Sequence, residues 1–163
     1  MNQYNHYGQP VGNALPGWQP RPLPQRVVLH GRYCRLEPLT RTHADALFAA
    51  YQLDGDSRSW TWLPREPEES IEQYAAWVES TEQLQDPLHF AVIDTQTERP
   101  VGTLALMRID ANNGVIEVGH VHFSPLLSRT PASTEAQWLL MRYAFATLGY
   151  RRYEWKCNTR NEP

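Results

Sequence analysis

Three side chains capable of acid–base chemistry lie close together in the last third of the sequence. The run Val115-Ile-Glu-Val-Gly-His-Val-His-Phe123 carries Glu117, His120 and His122 in a stretch rich in strand-forming residues. Strict alternation along a strand predicts both histidines on one face and Glu117 on the other. Two imidazoles could begin a metal site, but without a third ligand in sight we expect no metal. A role for one histidine as a base or substrate contact is favoured over a metal site, and otherwise both are half-buried polar residues with satisfied hydrogen bonds.

The loop at 126–134 is a second candidate segment, because it leads directly into a predicted helix from Thr134 to about Leu148. Apolar residues recur at helical spacing along that helix, and Gly149 follows as a stop signal. The amides and the dipole at a helix N-terminus favour phosphate groups. A helix start of this kind is able to hold an anion, and the alternative is a capped helix start that binds no cofactor.

The rest of the chain predicts the scaffold that positions these two segments. The predicted elements are short strands within 26–39, helices at 40–51 and 68–83, strands at 88–94, 101–109 and 115–123, the helix from Thr134, and a strand at 150–158. The Asn-Gly pair before Val115 indicates a tight turn, so the three middle strands form an antiparallel meander. This order predicts an α+β (α/β three-layer) fold with a mixed sheet.

Length, charge and cysteine spacing limit the classes of protein to which the chain can belong. A length of 163 residues suggests one domain, and we divide the chain into a Pro/Gly-rich N-terminal arm at 1–25 and a domain at 26–163. A net charge of −3 without blocks of one sign argues against nucleic acid or a membrane as partner. The start of the chain has no secretory pattern, and the two cysteines have no metal-ligand spacing. These features predict reduced thiols and a cytoplasmic protein.

Several short motifs occur along these elements in a fixed order. They are Arg35-Leu-Glu-Pro-Leu39, Pro100-Val-Gly-Thr103, Ile116-Glu-Val-Gly-His-Val-His-Phe-Ser-Pro125, Ser133-Thr-Glu-Ala136, Tyr143-Ala-Phe145, Leu148-Gly-Tyr-Arg151 and Asn161. As an ordered set, they resemble the GNAT superfamily of N-acetyltransferases, in its RimJ/RimL-like branch. The resemblance covers about 26–163 and implies a GNAT-like mixed β-sheet with helices on both faces.

The resemblance implies that acetyl-CoA is the co-substrate. In the family, its pyrophosphate lies on the loop before the third helix, and its pantetheine arm lies along the splayed fourth strand. The implied cofactor contacts here are Val121, His122, Phe123, Ser128, Arg129, Thr130, Ala132, Ser133, Thr134 and Asn161. The usual loop pattern, Gln/Arg-x-x-Gly-x-Gly/Ala, is replaced by Ser128, Pro131 and Ser133. Pro131 removes an amide donor, and Arg129 could offset that loss by contacting phosphate.

The resemblance also implies a catalytic role for Glu117, with His120 as the second catalytic candidate. Many relatives carry a carboxylate at the position of Glu117 that draws a proton from the amine through water. A base is needed because a protonated amine cannot attack a thioester. The alternative is that Glu117 pairs across the sheet with Arg108. The implied reaction is direct attack by a primary amine, on a protein N-terminus or a small molecule.

The end of the sequence carries one further expectation. Asn161 matches the Asn of the family's Asn-x-x-Ser, and the sequence given stops at Pro163, before the family's final helix and two strands. We therefore expect either a fragment of a longer protein or a sheet completed by a partner chain, such as a homodimer. The altered loop and the missing elements favour an alternative function, a catalytically inactive GNAT-like CoA-binding or regulatory module.

Overall fold

A six-stranded mixed sheet organises the domain in a computed structural model, which describes residues 3–4, 10–11, 19–54 and 70–155. The strands are β1 (Leu29–His30), β2 (Cys34–Pro38), β3 (Leu88–Asp94), β4 (Arg99–Asp110), β5 (Val115–Phe123) and β6 (Arg152–Trp155). They lie side by side in chain order. Every neighbouring pair is antiparallel except β5 and β6, which are parallel.

Three helices cover the two faces of this sheet. They are α1 (Ala44–Tyr51), α2 (Ile71–Glu82) and α3 (Pro131–Arg142). Ser70 caps α2 by accepting a hydrogen bond from the Gln73 amide at 3.2 Å. A π-helical turn, Tyr143–Thr147, continues α3. Because α3 lies between β5 and its parallel neighbour β6, the three elements form a βαβ unit.

The core is divided into two layers by the sheet. Leu39, Leu47, Tyr51, Tyr74 and Val78 pack with Ala91 and Ile93 of β3 on the face covered by α1 and α2. The residues packed on the other face, beneath α3, include Leu36, Phe90, Val92, Leu104, Leu106, Ile116, Val118, Leu139 and Leu140. Residues of β3 thus contribute to both layers. The predicted mixed sheet with helices on both faces is confirmed.

The prediction that the third helix begins at Thr134 is wrong by three residues. Pro131 is the first residue of α3, and Thr130 is its N-cap, whose hydroxyl oxygen accepts from the Ser133 amide at 3.3 Å. Proline is favoured at this first position because its fixed φ suits a helix and its missing N–H would have no partner in the helix. The residues assigned to the end of the loop, Ala132 to Thr134, therefore form the first turn of α3.

Residues 19–25, the described end of the N-terminal arm, lie against the domain. The Arg21 amide donates to the Ala111 carbonyl oxygen at 2.9 Å, and the Gln25 amide donates to the Tyr143 hydroxyl at 2.9 Å. The Tyr150 hydroxyl in turn donates to the Pro22 carbonyl oxygen at 3.0 Å. Farther toward the start, Gln3–Tyr4 pairs with Pro10–Val11 as a short antiparallel ladder. In the described residues, no helix combines the length and the apolar character needed to cross a bilayer.

Candidate active site

A β-bulge in β5 determines where the candidate catalytic side chains point. Ala105 of β4 pairs with Gly119 of β5, and Thr103 pairs with His122. One residue of β4, Leu104, therefore faces two residues of β5, His120 and Val121. His120 has a positive φ of 49°, in the left-handed region, and this conformation reverses the alternation of side chains.

The bulge places Glu117, His120 and His122 on the same face of the sheet. Before it, Ile116 and Val118 pack on the α3 side, so Glu117 between them faces α1 and α2. After it, Val121 and Phe123 pack on the α3 side. The rings of His120 and His122 contact residues on the α1 and α2 side instead. The prediction from strict alternation, which separated Glu117 from both histidines, is wrong.

Glu117 is buried and has a positively charged neighbour. Its side chain is 8% exposed, and its Oε2 lies 3.5 Å from Nε of Arg108, an ion pair with one largely exposed partner. Arg108 has a φ of 47°, beside a second register shift in the ladder, and Asp86 accepts hydrogen bonds from the amides of Arg108 and Ile109. The cross-strand contact with Arg108, the alternative role expected for Glu117, is therefore present.

Tyr51, the last residue of α1, holds the strand beyond the bulge. Its hydroxyl donates to the His122 carbonyl oxygen at 2.8 Å and lies 3.2 Å from the Thr103 hydroxyl. Its ring is stacked on the His122 imidazole, with 3.6 Å between the centroids. Because Tyr51, Thr103 and His122 are all buried, these contacts fix the position of His122. The sequence predicts Tyr51 only as the last residue of the helix at 40–51.

His89 of β3 belongs to the same cluster, although no role for it was predicted from the sequence. The residue is 4% exposed, and its ring centroid lies 5.2 Å from that of His120. The Trp77 ring of α2 meets it edge-on at 5.3 Å. A histidine inside the otherwise apolar run Leu88–Ile93 was the available signal, because buried polar groups need partners and often have a role.

Several hydrogen-bond donors of the loop before α3 are already bonded to nearby carbonyl oxygens. The amides of Leu127 and Ser128 donate to the Ser124 carbonyl oxygen at 2.9 Å each, and the Thr130 amide donates to that of Leu127 at 3.2 Å. Hydroxyls do the same: Ser128 Oγ donates to the Phe123 carbonyl oxygen, and Thr130 Oγ1 to that of Leu127. The resemblance implies Ser128 and Thr130 as phosphate contacts. Their amides and hydroxyls already donate hydrogen bonds within this part of the chain.

Arg129 is the implied cofactor contact with the most accessible charge. It is exposed, and its φ of 62° places it in the left-handed region at the tip of the loop. Ala132, Ser133 and Thr134 follow in the first turn of α3, where the helix dipole favours an anion. An exposed guanidinium beside a helix N-terminus suits a phosphate group, and Pro131 leaves one fewer amide there.

An open cleft of about 460 Å³ adjoins this loop. It is lined by Arg32, Tyr33, Asp94, Thr95, Gln96, Leu126, Thr130, Pro131 and Ala132. The cleft therefore lies between the start of α3 and the two turns at 31–33 and 94–98. Its lining includes two of the residues implied as cofactor contacts, Thr130 and Ala132.

Glu135 fastens the start of α3 to the turn between β1 and β2. Its carboxylate accepts hydrogen bonds from the amides of Arg32, Tyr33 and Cys34 at 2.9, 2.7 and 2.9 Å. A side chain on Gly31 would collide with this carboxylate, so the close approach requires glycine. Burial alone would raise the pKa of Glu135, but the three amide donors outweigh it and hold the pKa below its ordinary value.

Cys34 is unsuited to nucleophilic chemistry. The residue is fully buried, and its Sγ lies 3.5 Å from the Ala132 carbonyl oxygen. Burial, reinforced by the negative charge of Glu135, raises the pKa of the thiol to about 12. The reactive thiolate is therefore not populated near neutral pH.

Two further expectations concern Asn161 and metal binding. Asn161 lies outside the described residues, as do the residues of the predicted last strand beyond Trp155. Among the residues that the structure describes, no group of three or more His, Cys, Asp or Glu side chains is placed to hold a metal ion.

The family of the chain follows from its sequence as well as from its fold. Residues 34–163 match the acetyltransferase (GNAT) domain family. The chain therefore belongs to the GNAT family of acetyltransferases. No curated protein matches the chain at a significant level.

Solved structures agree with this assignment. A GCN5-related N-acetyltransferase from Brucella melitensis is 48% identical, with a TM-score of 0.86 over 90% of this chain and 67% of that one. A probable acetyltransferase of the GNAT family from Chromobacterium violaceum is 35% identical, with a TM-score of 0.82 over 93% of this chain and 76% of that one. A GNAT-family acetyltransferase from Bacillus anthracis, 18% identical with a TM-score of 0.69, shares the fold.

Proposed function

We propose that the protein transfers the acetyl group of acetyl-CoA to a primary amine by direct attack. The observation that carries the proposal is the bulge at His120, which brings Glu117 and both histidines to one face of β5. A family of acetyltransferases supplies the reaction class. The acceptor is a protein N-terminus or a small-molecule amine.

The cofactor half of the site would be formed by β5 and the loop before α3. Acetyl-CoA would supply an activated thioester carbonyl. Val121, His122 and Phe123 would offer main-chain groups to the pantetheine arm, because this part of β5 lies beyond its last paired residue with β6 in the described chain, Val118. Arg129 and the first turn of α3, Ala132 to Thr134, would hold the pyrophosphate.

The proton half of the site would use Glu117 and His120. A primary amine arrives mainly as an ammonium ion, which has no lone pair for attack. Glu117 would accept a proton through water, and His120, on the same face, would be the second candidate to do so. The nitrogen lone pair then forms a bond to the carbonyl carbon, and the electrons of the C–S bond leave with sulfur.

A catalytically inactive CoA-binding or regulatory module is the second candidate. The observation that favours it is the loop before α3, where the amides of Ser128 and Thr130 donate to loop carbonyls and Pro131 has no amide N–H. Such a loop offers fewer donors to a pyrophosphate than a glycine-rich one would.

Two measurements on the same protein separate these functions. Titration calorimetry with acetyl-CoA tests binding, and release of free thiol is then followed with a panel of peptide, amino-acid, polyamine and aminoglycoside acceptors. The enzyme proposal expects binding together with thiol release for at least one amine. Binding without thiol release for any acceptor supports the module. Absence of acetyl-CoA binding contradicts the enzyme proposal.

A further inference from the structure

We propose that His89 is a positioning residue that orients His120 and takes from it the proton that His120 removes from the acceptor amine. The inference rests on the proposed function and adds a residue of β3 to it. The two imidazoles would act as a relay, with His120 facing the amine and His89 behind it.

The His89 and His120 rings lie close together, but they form no hydrogen bond with each other in this structure. Their centroids lie 5.2 Å apart, and the ring planes are inclined by 46°. At that separation, rotation of the His120 ring can bring two imidazole nitrogens to roughly 3 Å, the length of an ordinary hydrogen bond. A neutral imidazole carries one donor and one acceptor nitrogen, so a pair can pass a proton from ring to ring.

The small residues between the strands explain how these rings meet. His89 of β3 pairs with Ala105 of β4, and Ala105 pairs with Gly119 of β5. In this row only the Ala105 methyl group lies between His89 and β5, and the Met107 thioether covers Gly119. The left-handed backbone at His120 reverses the direction of its side chain, so its ring lies beside that of His89.

His89 itself is held in place on three sides. Its carbonyl oxygen accepts from the Leu39 amide at 2.9 Å, and the strand ladder fixes its backbone opposite Ala105. The Trp77 ring of α2 meets its imidazole at 89°, which limits rotation of the side chain. A buried imidazole fixed in this way presents the same nitrogens to His120, so a hydrogen bond between the two rings would set the orientation and the tautomer of His120.

The charged and titratable groups on this face suit the passage of one proton. Glu117 with Arg108 lies on the same side of β5 and β4, and Glu154 of β6 pairs with Glu117 in the ladder. The rings of Tyr51 from α1 and Tyr74 from α2 meet edge-on at this face, and the Tyr51 ring is stacked on His122. A carboxylate on the same face as the relay favours a transient positive charge on the imidazole pair.

The proton balance of the relay closes within each turnover. The ammonium ion gives one proton to a ring nitrogen of His120, which gives the proton of its other nitrogen to His89. The freed amine forms the C–N bond, and the C–S electron pair leaves on sulfur. The second nitrogen proton neutralises the thiolate, and the proton held by the pair returns to solvent.

Kinetics of His89→Gln test the relay, with His30→Gln as the matched control because His30 is an exposed histidine on β1. We expect His89→Gln to lower kcat about ten- to a hundredfold. The KM and the affinity for acetyl-CoA should be nearly unchanged, and the acidic limb of the pH–rate profile should lose one step. His30→Gln should match the wild type. An unchanged pH profile, with only lower stability, would overturn the relay.

A second readout does not depend on activity and so distinguishes failure of the relay from failure of the proposed function. In nuclear magnetic resonance titrations of the wild type, the relay predicts coupled, two-step curves for His89 and His120, because interacting sites share macroscopic pKa values. The His120 curve should become a single step in His89→Gln. Independent single-step curves in the wild type would contradict the relay even if the protein transfers acetyl groups.

Discussion

The Tyr51 ring lies parallel to the His122 imidazole, with 3.6 Å between their centroids, and the Tyr51 hydroxyl donates to the His122 carbonyl oxygen. One residue of α1 thus holds both the side chain and the main chain of a β5 residue just beyond the bulge. The contact joins the helical layer to the strand that carries the candidate catalytic groups.

Removing the Tyr51 hydroxyl should therefore destabilise the domain. Tyr51→Phe keeps the stacked ring but leaves the buried His122 carbonyl oxygen without this donor, a loss of about 1–3 kcal/mol in the free energy of unfolding. Urea unfolding measures it, with Tyr33→Phe as the control because Tyr33 is exposed. Equal stabilities of Tyr51→Phe and the wild type would show that the hydroxyl contributes nothing to holding β5.

The left-handed conformation of His120 leads to a second prediction about stability. His120→Val should cost about 1–2 kcal/mol, because a β-branched residue tolerates positive φ poorly. His120→Asn should remain within about 0.5 kcal/mol of the wild type, because asparagine adopts this region readily. The two variants are compared by urea unfolding. If they unfold at the same urea concentration, the bulge does not require a left-handed residue at position 120.

The bulge in β5 could not be predicted from the sequence. The alternating pattern along Val115–Phe123 predicts the strand and its candidate residues, but it does not show that one extra residue is inserted in the strand. Gly119 was the available clue, since glycine inside a strand often accompanies a bulge. The partner strand decides the outcome, because the register of Thr103 and Ala105 fixes which β5 residue is extra.

The start of α3 could have been predicted from the sequence, and most of the surrounding strands and helices were predicted correctly. Thr130 followed by Pro131 is typical of an N-cap and a proline in the first turn of a helix. The sequence-based prediction instead assigned Pro131 to the loop. Strands β3, β4 and β5 lie close to their predicted bounds because each has a clear apolar pattern. The contact between His89 and His120 was not predictable, since it joins residues of different strands.

Glu135 should make stability depend on pH. Its pKa in the folded protein is below the unfolded value of about 4.3, so its carboxylate stabilises the fold above that value. This stabilisation is lost as the pH falls through the folded pKa. Glu135→Gln should cost about 1–3 kcal/mol at pH 7 and much less in acid, measured by urea unfolding across pH.

Glu72 provides the control for Glu135. It is also an acid in the first turn of a helix, α2, but it is exposed. Glu72→Gln should change stability by no more than about 0.5 kcal/mol at any pH. If Glu135→Gln behaves like Glu72→Gln, the three amide bonds to Glu135 do not stabilise the junction between α3 and the β1–β2 turn.

Arg129 should contribute to acetyl-CoA affinity if it replaces the donors that Pro131 removes. Arg129→Gln is expected to raise the Kd for acetyl-CoA roughly three- to tenfold and to reduce its dependence on salt, because an exposed charge is screened. Arg142→Gln is the control, since the Arg142 guanidinium lies over the Trp138 ring at the far end of α3. Calorimetry at two salt concentrations makes the comparison. An unchanged Kd for Arg129→Gln would place the phosphates elsewhere.

The measurement that tests the central claim most directly is the acetyl-transfer rate of Glu117→Gln with acetyl-CoA bound, beside Arg108→Gln. If Glu117 is the base, Glu117→Gln should lower kcat about a hundredfold or more while the Kd for acetyl-CoA is unchanged. Arg108→Gln breaks the ion pair but keeps the carboxylate, so it should retain most of the rate. A Glu117→Gln protein that transfers acetyl groups at the wild-type rate would contradict the assignment of Glu117 as the base.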